Sequence, residues 1–166
     1  MSGKTFGNKS KNKFLRALPD TTIESCGLAK RCKFNFSFFD ANQEVGQDFS
    51  DWTHDEILKL IDKMKHYTSE TLEYWRNSRC GAGGLTIYEN YKSFPARSDF
   101  IHPKHIPHDV EWARFRLENM VRLIGFVIPS NLHQKVDEKT GHCYDSNTFY
   151  VVFLDRAHRF YLSENA

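Results

Sequence analysis

The chain has 166 residues, and its 23 lysines and arginines nearly balance 21 aspartates and glutamates, for a formal net charge of +2. This length suits a single domain with an adequate hydrophobic core, and the near-neutral charge excludes a protein that is basic over its whole surface. No segment reaches the roughly 18 apolar residues of a membrane helix, and the basic N-terminus lacks the apolar core of a signal peptide. The four cysteines are irregularly spaced, so we expect reduced thiols in a cytoplasmic protein.

Residues 1–30 predict a basic, loosely ordered N-terminal arm. Lysine and arginine dominate its charge, and its polar residues follow no sustained periodicity. Such an arm can contact phosphates, or it can be a flexible, solubilising leader. Residues 31–166 predict a single α+β domain.

The first elements of this domain are a strand followed by two helices. Residues 32–39 alternate, with three phenylalanines on one face, which predicts a half-buried strand. Thr53 and Glu56 have the spacing of a capping box, and apolar residues recur at helical spacing from there to Tyr67. Ser69 can cap a second, shorter helix.

The rest of the chain predicts strands joined by loops. Three prolines exclude regular structure from residues 94–109, so we expect a long ordered loop there. Two of the strand segments are nearly all apolar, as is typical of interior strands covered on both faces. The predicted strands span residues 85–91, 110–117, 121–128, 148–154 and 159–162, with a polar loop over residues 130–147. The fold class is therefore α+β, a single domain with an antiparallel sheet of about four to five strands and two helices packed on it.

Three arginines form the first candidate site. If residues 118–120 make a three-residue hairpin loop, Arg116 lies opposite Arg122 on one face, with Arg114 and Trp112 beside them. Guanidinium groups that converge in this way can bind a phosphate bidentately and stabilise negative charge that builds on it. The alternatives are a solvated outer face and ion pairs with neighbouring glutamates.

The C-terminal run from Asp155 to Tyr161 carries the second candidate site. His158 can exchange a proton near neutral pH, Arg159 can hold a phosphate, and Tyr161 offers a hydroxyl. A metal-free ribonuclease needs a base for the 2′-OH proton, cations for the phosphorane and an acid for the leaving 5′ oxygen. The alternative is a structural turn in which His158 caps or bonds locally.

The same part of the chain resembles a known family. Val-Arg-Leu-Ile-Gly-Phe, Phe-Tyr-Val-Val-Phe-Leu-Asp and a closing His-Arg-Phe-Tyr follow one another over roughly the last third of the sequence. This order is similar to the C-terminal sheet of the RelE/ParE toxin superfamily. The resemblance implies an antiparallel sheet with helices on one face. In the RelE branch it implies metal-independent cleavage of mRNA on the ribosome, without a cofactor, and neutralisation by a cognate antitoxin protein.

Together with the arginine face, the resemblance yields a set of expected site residues. The expected catalytic residues are His158, Arg122, Arg116 and Tyr161, and the expected substrate-binding residues are Arg114, Arg159 and Trp112. The expected partners are RNA or the ribosome and an antitoxin, with no membrane. The alternative is a non-enzymatic interaction protein of a toxin–antitoxin or defence system, which uses a RelE-like sheet to bind a protein or nucleic-acid partner. It predicts that these side chains are scattered or held in salt bridges.

Two further sets of residues could bind metal. His102, His105 and His108 lie within seven residues, and three imidazoles can hold zinc if they converge on one point. The alternatives are a surface loop, or a loop that contributes a histidine to the active site. The cysteines lack the short C-x₂₋₄-C spacing of structural zinc sites, so their signal is weak. A metal-dependent hydrolase is therefore a third hypothesis.

Overall fold

The structure is a computed structural model of the chain, and it describes residues 9–19 and 21–162. The chain divides into two compact units, residues 1–30 and residues 31–166. In the first unit, helix α1 (Lys9–Ala17) has no buried side chain, and a 3₁₀ turn covers Leu28–Lys30. The predicted arm is therefore helical over α1 rather than loosely ordered, and its residues 1–8 and 20 lie outside the described part.

A five-stranded sheet organises the second unit. Its strands lie in the order β1-β7-β6-β5-β4, and a separate two-stranded ribbon pairs β2 with β3. The strands are β1 (Lys33–Asn35), β2 (Arg79–Cys80), β3 (Leu85–Thr86), β4 (Tyr88–Lys92), β5 (Glu111–Arg116), β6 (Arg122–Val127) and β7 (Thr148–Asp155). The α+β class and the strand number are confirmed.

The sheet is mixed, so the prediction of a purely antiparallel sheet was wrong in one pairing. Strand β1 runs parallel to β7, whereas β4, β5, β6 and β7 are joined by antiparallel pairings. The C-terminal strands follow one another through hairpins or loops that reverse the chain. Strand β1 is separated from β7 by both helices and the other strands, so no short connection forces it to be antiparallel.

Two helices cover one face of the sheet, as predicted. Helix α2 (His54–Tyr67) begins at Thr53, and the expected capping box with Glu56 is present. Helix α3 (Leu72–Asn77) is capped by Thr71 rather than by Ser69. A first core forms between these helices and the sheet, and it includes Leu60, Tyr67, Leu72, Trp75, Phe115, Leu123 and Phe149.

A second core covers the opposite face of the sheet. It contains the long loop of residues 94–109, here called the proline loop, and the C-terminal segment after β7. Phe100, Ile106 and Phe160 pack there on side chains of the sheet, among them Trp112, Ile124, Phe126 and Phe153. Strands β6 and β7 are therefore buried on both faces, which confirms their prediction as interior strands.

Two predicted strands differ from the structure because side chains bond to the backbone. The first strand stops at Asn35, whose side-chain oxygen accepts a hydrogen bond of 2.8 Å from the Ser37 amide and turns the chain. Residues 159–162 are not a strand, because the buried Asp155 carboxylate accepts backbone N–H groups of the residues that follow it. In the part of the chain that the structure describes, no helix is both long and apolar enough to cross a bilayer.

Candidate active site

The β5–β6 hairpin has the register that the sequence predicted. Arg116 pairs with Arg122, and the Leu117 amide donates a 3.1 Å hydrogen bond to the Val121 carbonyl, which leaves a three-residue loop. Alternation along the two strands then directs Arg114, Arg116 and Arg122 to the face that carries the second core. The hairpin therefore gathers three guanidinium groups at one end of this face.

Arg122 is the most deeply buried of the three arginines, with 3 % of its surface exposed. Its Nη1 donates 2.9 Å hydrogen bonds to the carbonyls of Glu118, Asn119 and Val121. Its Nε is buried and has no hydrogen-bond partner among the described residues. Burial, followed by the charge of Arg116, lowers the pKa of Arg122 to about 10, so the group stays charged at neutral pH.

Arg114 is held entirely by the protein. Its Nε donates to the Tyr91 hydroxyl at 3.1 Å, its Nη1 to the Thr86 carbonyl at 3.1 Å, and its Nη2 to Glu89 at 2.7 Å. All three nitrogens therefore have partners, and this arginine is suited to position its neighbours rather than to take up a ligand.

Arg116 is half-buried and has a more open guanidinium group. Its Nε donates to the Thr86 carbonyl at 3.2 Å and its Nη1 to the Asn119 carbonyl at 3.2 Å. Its Nη2 has no hydrogen-bond partner among residues 9–19 and 21–162. Arg116 and Arg122 thus share the Asn119 carbonyl, and Arg116 is the more exposed of the two.

His158 belongs to the same electrostatic environment. Burial lowers its pKa from the ordinary 6.5, and Arg122 contributes more to this shift than Arg114 or Arg116, whereas Asp155 opposes it. The imidazole is therefore mainly neutral at pH 7 and can accept a proton. Its backbone has φ +58°, a left-handed conformation that is uncommon for a residue with a side chain and is often found at functional positions.

Tyr161 joins the cluster through Tyr91. The two rings stack with centroids 5.1 Å apart and planes 5° from parallel, and Tyr161 remains 46 % exposed. Tyr91 in turn accepts the hydrogen bond from Arg114. Burial raises the pKa of Tyr91 despite the opposing charge of Arg114, so its phenol is neutral at pH 7.

Two expected substrate-binding residues have other partners. Trp112 has 1 % of its surface exposed and packs in the second core against rings that include Phe94 and Phe153, so no face of its ring is open to a substrate. Arg159 is held by Asp99 through an ion pair of 2.7 Å. The position of Trp112 follows from the proline loop, which covers its face of the sheet.

The residues that hold Arg114 are not among the predicted site residues. Glu89 lies directly opposite Arg114 in the pairing of β4 with β5, and Tyr91 lies farther along the same edge strand. The only sequence feature that could have identified them was the predicted strand over residues 85–91, which contains both Glu89 and Tyr91. Had that strand been paired with the next one along the chain, Glu89 would have emerged as the partner of Arg114.

The histidines of the proline loop do not form a metal centre. The Nδ1 atom of His102 lies 3.0 Å from the Pro103 carbonyl, and its ring packs against Trp112, whereas His105 stacks on Phe38. No group of three or more His, Cys, Asp or Glu side chains in the described ranges could hold a metal ion. The zinc hypothesis for this loop was therefore wrong.

Comparisons of the chain with protein-family models, with curated proteins and with solved structures found no match. Arg114, Arg116 and Arg122 act electrostatically on His158, and Tyr161 is linked to Arg114 through Tyr91; we call these five residues the cluster.

Proposed function

We propose that the protein is a RelE-like toxin that acts as a metal-independent endoribonuclease on mRNA in the cytoplasm, on the ribosome, and that a cognate antitoxin protein neutralises it. The observation that carries the proposal is the combination of His158 with Arg116 and Arg122. A neutral imidazole, the half-buried guanidinium of Arg116 and the buried charge of Arg122 could supply the base and the positive charge that cleavage of a phosphodiester bond requires.

The proposed reaction assigns one role to each group. His158 removes the 2′-OH proton, and the 2′ oxygen attacks phosphorus to form a 2′,3′-cyclic phosphate as the P–O5′ bond breaks. Tyr161 gives its phenolic proton to the leaving 5′ oxygen, after which solvent restores both side chains. Arg116 contacts the phosphorane through its guanidinium group, and the buried charge of Arg122 stabilises the phosphorane electrostatically.

The burial of Arg122 supports its assigned role. A guanidinium that is already removed from water interacts with a developing oxyanion more strongly than a solvated one does. Its three carbonyl contacts fix its direction before substrate arrives, so little reorganisation is needed during the reaction. Arg114, held by Glu89 and Tyr91, acts as a positioning residue for this pair.

A cleavage assay tests the proposal. Purified protein is incubated with RNA and with translating ribosomes in the presence of chelator, beside His158→Asn, Arg116→Gln and a matched Arg159→Gln control. We expect about a hundredfold or greater loss of cleavage in the first two variants. The control should stay near the native rate, because the Arg159 guanidinium is already held by Asp99. Equal activity in the native protein and all three variants would mean that His158 and Arg116 do not take part in cleavage.

A second candidate is the interaction protein, which uses the same face to bind a protein or nucleic-acid partner. It is favoured by the ion pairs of Arg114 with Glu89 and of Arg159 with Asp99, since these guanidinium groups are already occupied. The assay separates the two functions. Binding of RNA or ribosomes without cleavage in the native protein would support the second candidate and exclude the first.

A further inference from the structure

A cleft of about 280 Å³ opens at the other end of the face that carries the arginines. It lies between the proline loop, the end of β6 and the loop of residues 130–147. Its wall includes the rings of Phe38, Tyr144 and Tyr150, with Leu132 and the Asp109 side chain beside them. The residues that form it come from five segments of the chain, including the one that carries Phe38 and strand β7.

The aromatic side of the cleft is held rigidly. Tyr150 stacks on Phe126 with centroids 4.9 Å apart and planes 8° from parallel. Phe38 meets both rings edge-on, at 5.2 Å from Phe126 and 5.8 Å from Tyr150. This arrangement covers one face of Tyr150 and fixes its direction toward the cleft.

Tyr144 comes from the loop of residues 130–147, and hydrogen bonds fix its backbone. Its amide donates to the Lys135 carbonyl at 2.9 Å, and its carbonyl accepts from the Gln134 amide at 2.8 Å. Its hydroxyl donates to Asp137 at 3.3 Å. Its ring is half-buried and lines the cleft, where a ligand ring could stack on it.

The charge of the cleft selects the chemistry of that ligand. No lysine, arginine or histidine is among its lining residues, and Asp109 is an exposed carboxylate. A phosphate would meet repulsion there and no compensating cation. A planar heteroaromatic ring would stack on the aromatic side and direct an exocyclic amino group to the carboxylate, which accepts hydrogen bonds only.

The cleft and the arginines lie along one strand. Arg122 and Phe126 point to the same face of β6, and four residues of strand separate them by about 13 Å. A single RNA strand can therefore reach both ends of the face. We propose that the cleft binds an amino-bearing nucleobase, adenine, cytosine or guanine, of the RNA strand whose phosphate lies at Arg116 and Arg122. This inference rests on the proposed function for the identity of the strand.

Nucleosides test the cleft independently of the arginines, because they carry no phosphate. Saturation-transfer NMR with adenosine, cytidine and uridine is recorded on the native protein, Tyr144→Leu, Tyr144→Phe, Asp109→Asn and Arg116→Gln. We expect adenosine and cytidine to bind, uridine to bind more weakly, and Tyr144→Leu to weaken adenosine about tenfold. Tyr144→Phe keeps the ring and should bind as the native protein does, and Arg116→Gln should leave binding unchanged.

Asp109→Asn should remove the preference for amino-bearing bases, because an amide can donate as well as accept. Thermal unfolding of each variant establishes that it is folded. Adenosine that fails to bind, or that binds folded Tyr144→Leu as tightly as native protein, would overturn the inference, and so would equal binding of uridine. If nucleosides bind as expected but RNA is not cleaved, the cleft stands and only the nuclease function is lost.

Discussion

At the residue scale, the proposed role of His158 as a base depends on its pKa, which the nearby arginines help to lower. In the folded chain this histidine is half-buried, and positive charge opposes its protonation, so its pKa lies below 6.5. A depressed pKa also links protonation to stability. His158 contributes to the free energy of unfolding at pH values above its pKa in the unfolded chain. This contribution is lost as the pH falls through the pKa of His158 in the folded protein.

We expect this dependence to be visible in an NMR titration of His158. Burial is the largest cause of the depression and Arg122 the second, so Arg122→Met should raise the pKa of His158. Arg116→Gln should raise it less, because Arg116 is the smallest contributor. Arg159→Gln serves as the control, since its ion pair with Asp99 sets it apart from this group. An unchanged titration in folded Arg122→Met would mean that the arginine and the histidine are electrostatically independent.

At the scale of elements, the turn after β7 fixes His158 in place. The Asp155 carboxylate accepts backbone hydrogen bonds from Ala157 at 3.2 Å, Arg159 at 2.9 Å and Phe160 at 2.9 Å. These three donors would lack partners if the carboxylate were removed. The turn also brings Phe160 into the second core, so one side chain couples the site to the packing.

Asp155→Ala should therefore lower the free energy of unfolding by about 3 kcal/mol or more, since hydrogen bonds to a buried charged group are each worth about 1.5–3 kcal/mol. Urea unfolding measures the change. Asp99→Ala is the matched control, because it removes an aspartate whose exposed ion pair contributes about 1 kcal/mol or less. A similar small loss in both variants would show that the turn forms without the carboxylate.

The pairing of β6 with β7 depends on a glycine. A Cβ atom at Gly125 would lie 2.1 Å from the Tyr150 carbonyl oxygen and 2.7 Å from the Phe149 ring, next to an irregularity in the pairing. We expect Gly125→Ala to cost about 3 kcal/mol or more, because backbone and core must both move. Gly83→Ala is the control, as nothing lies within 4 Å of its added Cβ. Equal urea midpoints for the two variants would contradict the close approach.

The sequence predicted elements whose signals are local. The capping box at Thr53 specified the start of α2, and the three-residue loop length specified the register that pairs Arg116 with Arg122. Local signals could not reveal that β1 is parallel to β7, because that pairing joins segments more than a hundred residues apart. They also could not reveal that Trp112 is covered, since alternation identifies a face of a strand but not what packs on it.

At the scale of the whole molecule, the two faces of the sheet serve different purposes. The helices α2 and α3 close the first core, whereas the proline loop and the C-terminal segment pack on the other face. The arginines lie toward one end of that face and the aromatic cleft toward the other. The proposed site therefore combines arginines of the buried sheet with His158 and Tyr161 of the segment that follows β7.

The central claim is that this cluster cleaves RNA through the 2′-hydroxyl with His158 as the base. The most direct measurement incubates the protein and translating ribosomes with an mRNA in the presence of chelator and maps the ends of any products. A copy of the mRNA with 2′-deoxyribose at the mapped position is then tested in the same way. We predict that the native mRNA yields 2′,3′-cyclic phosphate ends, that the 2′-deoxy copy is not cut at that position, and that His158→Asn cuts neither. Cleavage of the 2′-deoxy copy, or products with 5′-phosphate and 3′-hydroxyl ends, would contradict the mechanism, and no cleavage of native mRNA would contradict the function itself.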